Sequence, residues 1–251
     1  MTRYFDPPRP RVLAHRGLAI DAPENTPLAF VRAIEAGALH IETDVHASSD
    51  GVAVVAHDAD LSRVAGREDR LGALSARELA AIDLGHGQGV VPLADVLDGF
   101  PETRFNIDVK DPRAVEPTAR AVLRTGALDR VLITSFSGAR RSATIALLPG
   151  VATSASAGSF LAALIAGKVG LSPAVRRGLR GVDAVQIPEH ALGMSTVTAR
   201  AIRGFHAAGV EVHVWTINDP RRMRELFELG VDGVVTDRAD LAVRTANGDT
   251  L

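Results

Sequence analysis

The chain alternates short runs of β-branched and other apolar residues with longer stretches of helical periodicity, about eight times over 251 residues. This order predicts parallel strands joined by right-handed crossovers, because parallel neighbours need a long connection between them. Eight such units in a chain of this length indicate an α/β fold, a (β/α)8 TIM barrel. The predicted strands are residues 12–14, 39–45, 52–55, 104–109, 131–134, 151–154, 182–187, 210–216 and 233–236, and the predicted helices are residues 26–36, 93–100, 114–125, 138–147, 159–165, 196–208, 220–229 and 239–245.

A doubly wound open sheet is the alternative architecture for the same order of elements. Nucleotide-binding folds of that kind carry a Gly-x-Gly-x-x-Gly turn after the first strand, and this chain has no such turn there. The polar motifs of the chain instead recur after several strands, and a barrel collects such strand ends at one face. The barrel is therefore the preferred prediction.

One segment, residues 46–91, interrupts the repeating pattern. It contains a short strand, a polar turn-rich stretch around residues 66–70 and a weak helix over residues 75–82. Ser75 and Glu78 have the spacing of a capping box, which marks the start of that helix. Because the segment is too long for a simple strand-to-helix loop, we predict a small insertion that caps the barrel mouth after the second strand region. The whole chain, residues 1–251, is predicted to be a single domain.

Composition excludes several classes of function. The formal net charge of −2 gives no electrostatic reason to expect a nucleic-acid partner, and the absence of cysteine excludes disulfides and a thiol nucleophile. The first residues lack the apolar core of a secretory signal, and no stretch is long and apolar enough for stable membrane insertion. We expect a cytoplasmic protein that acts on a small molecule.

Paired carboxylates on one strand indicate a metal site. Glu42 and Asp44 alternate on a predicted strand, so both side chains point to one face and Thr43 points to the other. Two carboxylates on one face repel each other unless a cation lies between them. Because the strand is flanked by core-like residues, the pair is unlike a solvated charge pair on an edge. Oxygen ligands favour Mg²⁺ or Ca²⁺ over zinc.

A second strand supplies another carboxylate and a cation. Asp108 and Lys110 are again two residues apart on one strand face. Asp108 is predicted as a third oxygen ligand of the metal, and Lys110 as a contact of a phosphate group. A purely structural ion pair between them is the alternative.

Two histidines and an arginine complete a predicted phosphate site. His15 and His57 each end an apolar run beside a charged residue, and imidazole is the side chain that titrates nearest neutral pH. We predict that they transfer the protons in cleavage of a phosphodiester. The planar guanidinium of Arg16 is suited to donate paired hydrogen bonds to phosphate oxygens. An ion pair with a nearby carboxylate is the alternative. Asn25 precedes a helix and is a candidate brace for the site.

Trp215, the single tryptophan, ends a predicted strand. It lies on the strand face opposite to three valines. There its indole could line a pocket for an alcohol, or it could simply pack against neighbouring side chains. Asp237, after the last strand, is interpreted as a cap or turn residue.

Together these motifs resemble the glycerophosphodiester phosphodiesterase family, and the resemblance runs from Val12 to about Asp240. The matching motifs are His15-Arg16-Gly17, Glu24-Asn25-Thr26, Ala29-Phe30, Gly37-Ala38, Glu42-Thr43-Asp44-Val45, Asp50-Gly51, Val54, His57-Asp58, Pro92-Leu93, Val214-Trp215-Thr216-Ile217-Asn218 and residues 230–237.

The resemblance implies a (β/α)8 barrel with an insertion after the second strand region. The family's third metal ligand usually comes from a Glu-x-Lys motif, and Asp108, one methylene shorter, holds that position here. The implied cofactor is a divalent metal, Mg²⁺ or Ca²⁺, with Mn²⁺ as a further alternative. The implied roles are acid–base catalysis by His15 and His57, metal binding by Glu42, Asp44 and Asp108, and phosphate contact by Arg16 and Lys110.

The implied activity is metal-dependent hydrolysis of a glycerophosphodiester to sn-glycerol 3-phosphate and an alcohol. Attack by water and attack by the neighbouring glycerol hydroxyl, through a cyclic phosphate, both fit the same residues. Two other functions stay open from the sequence. They are a phospholipase resembling sphingomyelinase D and a catalytically silent barrel that binds phosphorylated metabolites. The headgroup, the division of acid and base between the histidines and the oligomeric state are left open.

Overall fold

The computed structural model describes residues 2–168, 171–191 and 193–249. The strands are β1 (Arg11–His15), β2 (His40–Ala47), β3 (Ala53–Val55), β4 (Arg104–Val109), β5 (Val131–Thr134), β6 (Ala152–Thr153), β7 (Ala184–Pro188), β8 (His190–Ala191), β9 (Met194–Ser195), β10 (Glu211–Trp215) and β11 (Gly233–Thr236). The helices are α1 (Pro27–Glu35), α2 (Ser62–Ala65), α3 (Ala76–Ala80), α4 (Leu93–Gly99), α5 (Val115–Arg124), α6 (Gly138–Ala146), α7 (Ala157–Lys168), α8 (Ser172–Gly178), α9 (Ala199–His206), α10 (Pro220–Glu228) and α11 (Ala239–Ala246).

Eight of the strands form a parallel barrel in the order β6-β5-β4-β2-β1-β11-β10-β7. A parallel bridge between Ser154 and Ala184 joins the two end strands of this path, and the Ala155 amide donates to the Ala184 carbonyl at 2.9 Å. Because the sheet closes on itself, the predicted (β/α)8 barrel is confirmed and the open doubly wound sheet is excluded.

The strand register brings the predicted site residues to the same end of the barrel. His15 of β1 is the partner of Glu42 of β2, and Asp44 of β2 is the partner of Asp108 of β4. Because these strands are parallel, their polar carboxyl-terminal ends meet at one mouth. Apolar side chains between the barrel and the helices hold this arrangement, among them Phe30, which packs edge-on against Phe105 at 5.8 Å.

The segment 46–91 begins with the last two residues of β2 and ends before α4. It contains β3, which pairs antiparallel with β2, followed by α2 and α3. At the start of α3, Ser75 and Glu78 form the predicted capping box. The segment has its own apolar cluster, whose buried members are Val54, Leu61, Leu71, Leu79, Ile82 and Val90.

The prediction differs from the structure mainly between residues 157 and 195. The helix predicted over residues 159–165 is longer, α7, and the sequence prediction missed α8 and the β8–β9 hairpin. Helix α7 is apolar along most of its length, so hydrophobic periodicity does not mark its ends. Among the described residues, no helix is long and apolar enough to cross a membrane.

A buried ion pair joins β1 to β10 inside the barrel, at the ends of the strands away from the mouth. Arg11 donates from Nε and Nη2 to the two oxygens of Glu211 at 2.8 and 2.9 Å, and its side chain is 3% exposed. His213 Nε2 donates to the same carboxylate at 3.1 Å. Burial alone would raise the pKa of Glu211, but hydrogen bonds from Arg11 and His213 lower it from its ordinary 4.5 to about 2.

We expect Glu211→Gln to lower the free energy of unfolding by about 3 kcal/mol at pH 7, the free energy equivalent to this pKa shift. A lowered carboxyl pKa stabilises the fold above pH 4.5, and that stabilisation is lost as the pH falls towards 2. The difference from the parent protein in urea unfolding therefore shrinks below pH 4.5. Glu225→Gln, which alters an exposed ion pair with Arg222, is the control. A difference that stays constant from pH 7 to pH 3 would contradict this assignment.

Candidate active site

A cavity of about 440 Å³ opens at the carboxyl-terminal mouth of the barrel, a volume typical of small-molecule sites. The structure brings together in its lining all eight residues singled out from the sequence. Those residues are His15, Arg16, Glu42, Asp44, His57, Asp108, Lys110 and Trp215.

Three buried carboxylates form one side of the cavity floor. Glu42, Asp44 and Asp108 are each less than a tenth exposed. The ammonium of Lys110 lies between two of them, 3.0 Å from Asp44 Oδ1 and 2.8 Å from Asp108 Oδ2. Arg16 Nε is 3.4 Å from Asp44 Oδ2. The ion pairs that the sequence left as structural alternatives for Arg16 and Lys110 are therefore present in the cavity itself.

Burial and neighbouring charges shift the pKa values of Glu42, Asp108 and Lys110. Burial, together with the charges of Asp44 and Asp108, raises the pKa of Glu42 well above its ordinary value. Burial likewise raises the pKa of Asp108, although Lys110 opposes the shift. Burial would lower the pKa of Lys110, but the two neighbouring aspartates outweigh it and raise that pKa. The cluster therefore favours additional positive charge.

The turn after β1 fixes Arg16 and the predicted brace Asn25. Both residues adopt left-handed backbone conformations with φ of 58°. The backbone N–H of Asn25 donates to the backbone carbonyl of Arg16 at 2.9 Å. Asn25 Nδ2 donates to Asp44 Oδ2 at 3.2 Å, and Thr43 donates to Asn25 Oδ1 at 2.8 Å. Asn25 thus braces the carboxylate site as predicted. A Cβ at Gly17 would lie 2.7 Å from the Ala29 backbone, so the turn also requires glycine there.

His15 is held by a carboxylate from the far end of the chain. Its Nδ1 lies 2.6 Å from Asp237 Oδ1, and its Nε2 lies 3.9 Å from Glu42 Oε2. Asn218 Nδ2 donates to the other oxygen of Asp237 at 2.7 Å. The hydrogen bond to His15 lowers the pKa of Asp237, which keeps this carboxylate ionised. With Nδ1 bound to Asp237, Nε2 is the ring atom available for proton transfer.

His57 follows β3 and is held in the same way. Its Nδ1 lies 2.7 Å from Asp58 Oδ1. Burial alone would raise the pKa of Asp58, but hydrogen bonds from His57 and Arg63 lower it. Two imidazoles, each with an ionised carboxylate on Nδ1, therefore enter the cavity from different elements.

The opposite side of the cavity is apolar. Phe136 follows β5, Phe160 and Leu161 lie on α7, and Trp215 ends β10. The rings of Phe136 and Trp215 meet edge-to-face at 5.9 Å, and Phe136 is 57% exposed at the rim. Because β5, β6, β7 and β10 are neighbours around the closed barrel, this wall is a continuous arc that faces the charged arc of β1, β2 and β4.

Sequence reasoning missed several residues of the site. Asp237 was interpreted as a cap or turn residue, yet its side chain orients His15. Asn106 lies in the cavity lining with an unpartnered buried Oδ1, and Phe136 contributes to the apolar wall. A polar residue directly after the last strand was the available signal for Asp237, because all strand ends of a barrel share one mouth.

The donor atoms of the cavity are chemically suited to a divalent cation, although their side chains do not surround one position. Oδ1 of Asp108 and Oδ1 of Asn106 are buried without a hydrogen-bond partner, and an oxygen-only set suits Mg²⁺ or Ca²⁺. Within the described ranges, no group of three or more His, Cys, Asp or Glu side chains is arranged as a metal site. The three carboxylates face two cations, Arg16 and Lys110, so the charge balance also favours a further cation.

This chain is similar in sequence to known proteins over nearly its whole length. A model of the glycerophosphoryl diester phosphodiesterase family matches residues 15–241. A relative from Mycobacterium tuberculosis (strain ATCC 25618 / H37Rv), named as a probable glycerophosphodiester phosphodiesterase, is 42% identical over 231 residues, covering 91% of this chain and 88% of the relative. A glycerophosphodiester phosphodiesterase from Caldanaerobacter subterraneus is 28% identical over 240 residues, covering 90% and 93%.

Solved structures share the architecture. A glycerophosphodiester phosphodiesterase from Thermotoga maritima matches with a TM-score of 0.75 at 26% identity, covering 93% of this chain and 96% of that one. An Oleispira antarctica phosphodiesterase, solved with its product sn-glycerol-3-phosphate, has a TM-score of 0.78 at 21% identity, covering 95% and 97%. With a family model matched over nearly its whole length, this chain belongs to the glycerophosphoryl diester phosphodiesterase family and is a phosphoric diester hydrolase.

Proposed function

We propose that this chain hydrolyses glycerophosphodiesters to sn-glycerol 3-phosphate and an alcohol. The observation that carries the proposal is the convergence of His15 and His57 on one cavity with three buried carboxylates and two cations. The names of the relatives support the substrate class, and the product held by the Oleispira antarctica phosphodiesterase supports the same choice.

Each charged group has a role in this proposal. Arg16 and Lys110 contact the phosphate oxygens and offset the charge that develops during transfer. One imidazole takes the proton of the nucleophile, which is water or the neighbouring glycerol hydroxyl, and the other gives a proton to the leaving alkoxide. If the glycerol hydroxyl attacks first, water then opens the cyclic phosphate, and the two histidines exchange their roles in that second step. Asp237 and Asp58 keep the two rings oriented. Trp215 contacts the substrate from the apolar wall.

A divalent cation completes the proposal, with Glu42, Asp44 and Asp108 as the residues that would hold it. When bound, it would supply Lewis-acid neutralisation of the phosphate. Its support is the set of buried carboxylates, the unpartnered Oδ1 of Asp108 and the raised pKa of Glu42. Mg²⁺ and Ca²⁺ are the proposed ions, with Mn²⁺ as an alternative.

The activity is tested with glycerophosphocholine and glycerophosphoethanolamine, each assayed for sn-glycerol 3-phosphate. We expect turnover in the presence of a divalent metal, its loss in EDTA, and its recovery when Mg²⁺, Mn²⁺ or Ca²⁺ is restored. Sphingomyelin and lysophospholipid serve as comparison substrates. Turnover of these lipids alone would contradict the proposed substrate class.

The metal ligands are tested by calorimetric titration. We expect Glu42→Gln and Asp108→Asn each to weaken Ca²⁺ or Mg²⁺ binding by more than about tenfold, because each removes one charged ligand. Asp98→Asn, which alters an exposed acid, is the control. Unchanged affinity in both site variants would contradict metal binding by this cluster of carboxylates.

A further inference from the structure

Arg63 of α2 bridges two carboxylates from distant parts of the chain. Its Nε donates to Asp58 Oδ2 at 2.7 Å, while Nη1 and Nη2 donate to the two oxygens of Glu24 at 2.9 and 2.6 Å. Glu24 belongs to the barrel, in the turn before α1, whereas Asp58 and Arg63 belong to the segment 46–91. Two of these three charge-assisted hydrogen bonds, those to Glu24, therefore join this segment to the barrel.

Both carboxylates also accept a hydrogen bond from a residue of the cavity. Asp58 Oδ1 accepts from His57 Nδ1 at 2.7 Å, and Glu24 Oε1 accepts from Arg16 Nη1 at 3.0 Å. His57 and Arg16 line the cavity, while Arg63 lies outside its lining. The Arg63 guanidinium therefore contacts the proposed acid–base residue His57 through Asp58, and the proposed phosphate contact Arg16 through Glu24.

The position of Arg63 is unlike that of a residue needed for folding. Its side chain is 49% exposed, and ion pairs at such positions contribute little to stability. The segment 46–91 has its own apolar cluster and pairs with β2 through β3. The contribution of the bridge is therefore geometric: it fixes the oxygens that orient the His57 ring and the Arg16 guanidinium.

We propose that Arg63 is a positioning residue that clamps the segment 46–91 onto the barrel and holds His57 and Arg16 in one arrangement over the cavity. The catalytic part of this inference rests on the proposed function, because it assumes that both residues act on the substrate. A small displacement of reacting groups is costly, since about 1 Å of misplacement can reduce the rate by about 10²-fold. The planar fork of arginine is required, because a lysine ammonium cannot donate in parallel to both oxygens of Glu24 and also reach Asp58.

The first test compares Arg63→Met with Arg67→Met. Arg67 lies in the same segment, is also 49% exposed and has one carboxylate partner, Asp69 at 2.8 Å, which leads to no cavity residue. With glycerophosphocholine as substrate, we expect Arg63→Met to lower kcat by about 10- to 100-fold while KM stays within about threefold. Arg63→Lys should lose most of the same activity. Arg67→Met should keep parent values, and the melting temperatures of the two Met variants should agree.

The second test does not depend on turnover. In a ¹H–¹⁵N spectrum of the imidazole region, the His57 resonances are assigned by their absence from His57→Asn. We expect a slowly exchanging Nδ1 proton on His57 in the parent protein and in Arg67→Met, because Asp58 holds it. In Arg63→Met the same proton should exchange rapidly, since Asp58 is no longer fixed.

The two tests separate this inference from the proposed function. If the parent protein turns over no glycerophosphodiester, the proposed function fails, and the spectrum still decides whether Arg63 orders His57. If the parent protein is active, parent kcat in Arg63→Met overturns the inference. Three other results would also overturn it. They are an equal loss of kcat in Arg67→Met, an effect of Arg63→Met on KM alone, and an Nδ1 proton of His57 that exchanges as slowly in Arg63→Met as in the parent protein.

Discussion

Replacing either histidine of the cavity by asparagine should lower kcat for glycerophosphocholine by about 10²- to 10⁴-fold, the usual contribution of general acid–base catalysis. In His15→Asn and His57→Asn, the asparagine amide can still donate to Asp237 or Asp58 in place of Nδ1. The substitution therefore removes the Nε2 atom and largely preserves the neighbouring contacts. We expect circular dichroism and melting temperature to stay close to those of the parent protein.

The control for this prediction is His86→Asn, which alters an exposed histidine of the segment 46–91. Its backbone has φ of 56°, a conformation that asparagine tolerates well. It should keep the parent rate. Parent rates in His15→Asn and His57→Asn would exclude the proposed acid–base pair, and a loss in only one of them would assign both proton transfers to that residue.

Lys110→Met should have the largest effect on stability. It leaves Asp44 and Asp108 without the ammonium that lies between them, and removal of one partner from a buried pair typically costs about 3–5 kcal/mol. The loss should be greatest at neutral and higher pH in metal-free buffer. It should diminish as the pH is lowered, because the pKa of Asp108 is already raised by burial and protonation removes the uncompensated charge.

Urea unfolding in EDTA checks this result, with Arg67→Met as a control for the removal of a cation from an exposed pair. The same Lys110 variant should lose about 10²-fold or more in kcat/KM, because a donor to the phosphate is gone. Unchanged stability at pH 7 would mean that the two aspartates carry no charge that needs Lys110, contrary to the ion pairs of the structure.

Local patterns were sufficient to predict the barrel and most of the charged arc. Alternation along a strand places Glu42 and Asp44 on one face, and the parallel register then brings Asp108 level with Asp44. The start of α3 was also readable, since the spacing of Ser75 and Glu78 predicts the capping box that the structure shows. These features depend on neighbours in sequence or on the regular geometry of one fold.

Contacts between remote side chains could not be predicted in this way. Asp237 meets His15 across 222 residues, and Glu24 meets Arg63 across 39 residues, and neither pair has a periodic pattern that indicates its contact. The bounds of α7 were missed because apolar residues lie on every face of this helix, so that it has no amphipathic periodicity. The position of Phe136 at the rim likewise depends on the course of the loop after β5.

The most direct test of the proposed function is the identity of the phosphorus product, followed by ³¹P NMR during incubation of the metal-loaded protein with glycerophosphocholine. We expect the diester signal to be replaced by that of sn-glycerol 3-phosphate, with release of choline, and no change in His15→Asn or His57→Asn. Release of phosphocholine and glycerol would mean that the opposite ester bond is cleaved. A diester signal unchanged with every divalent metal tested would contradict the proposed hydrolysis.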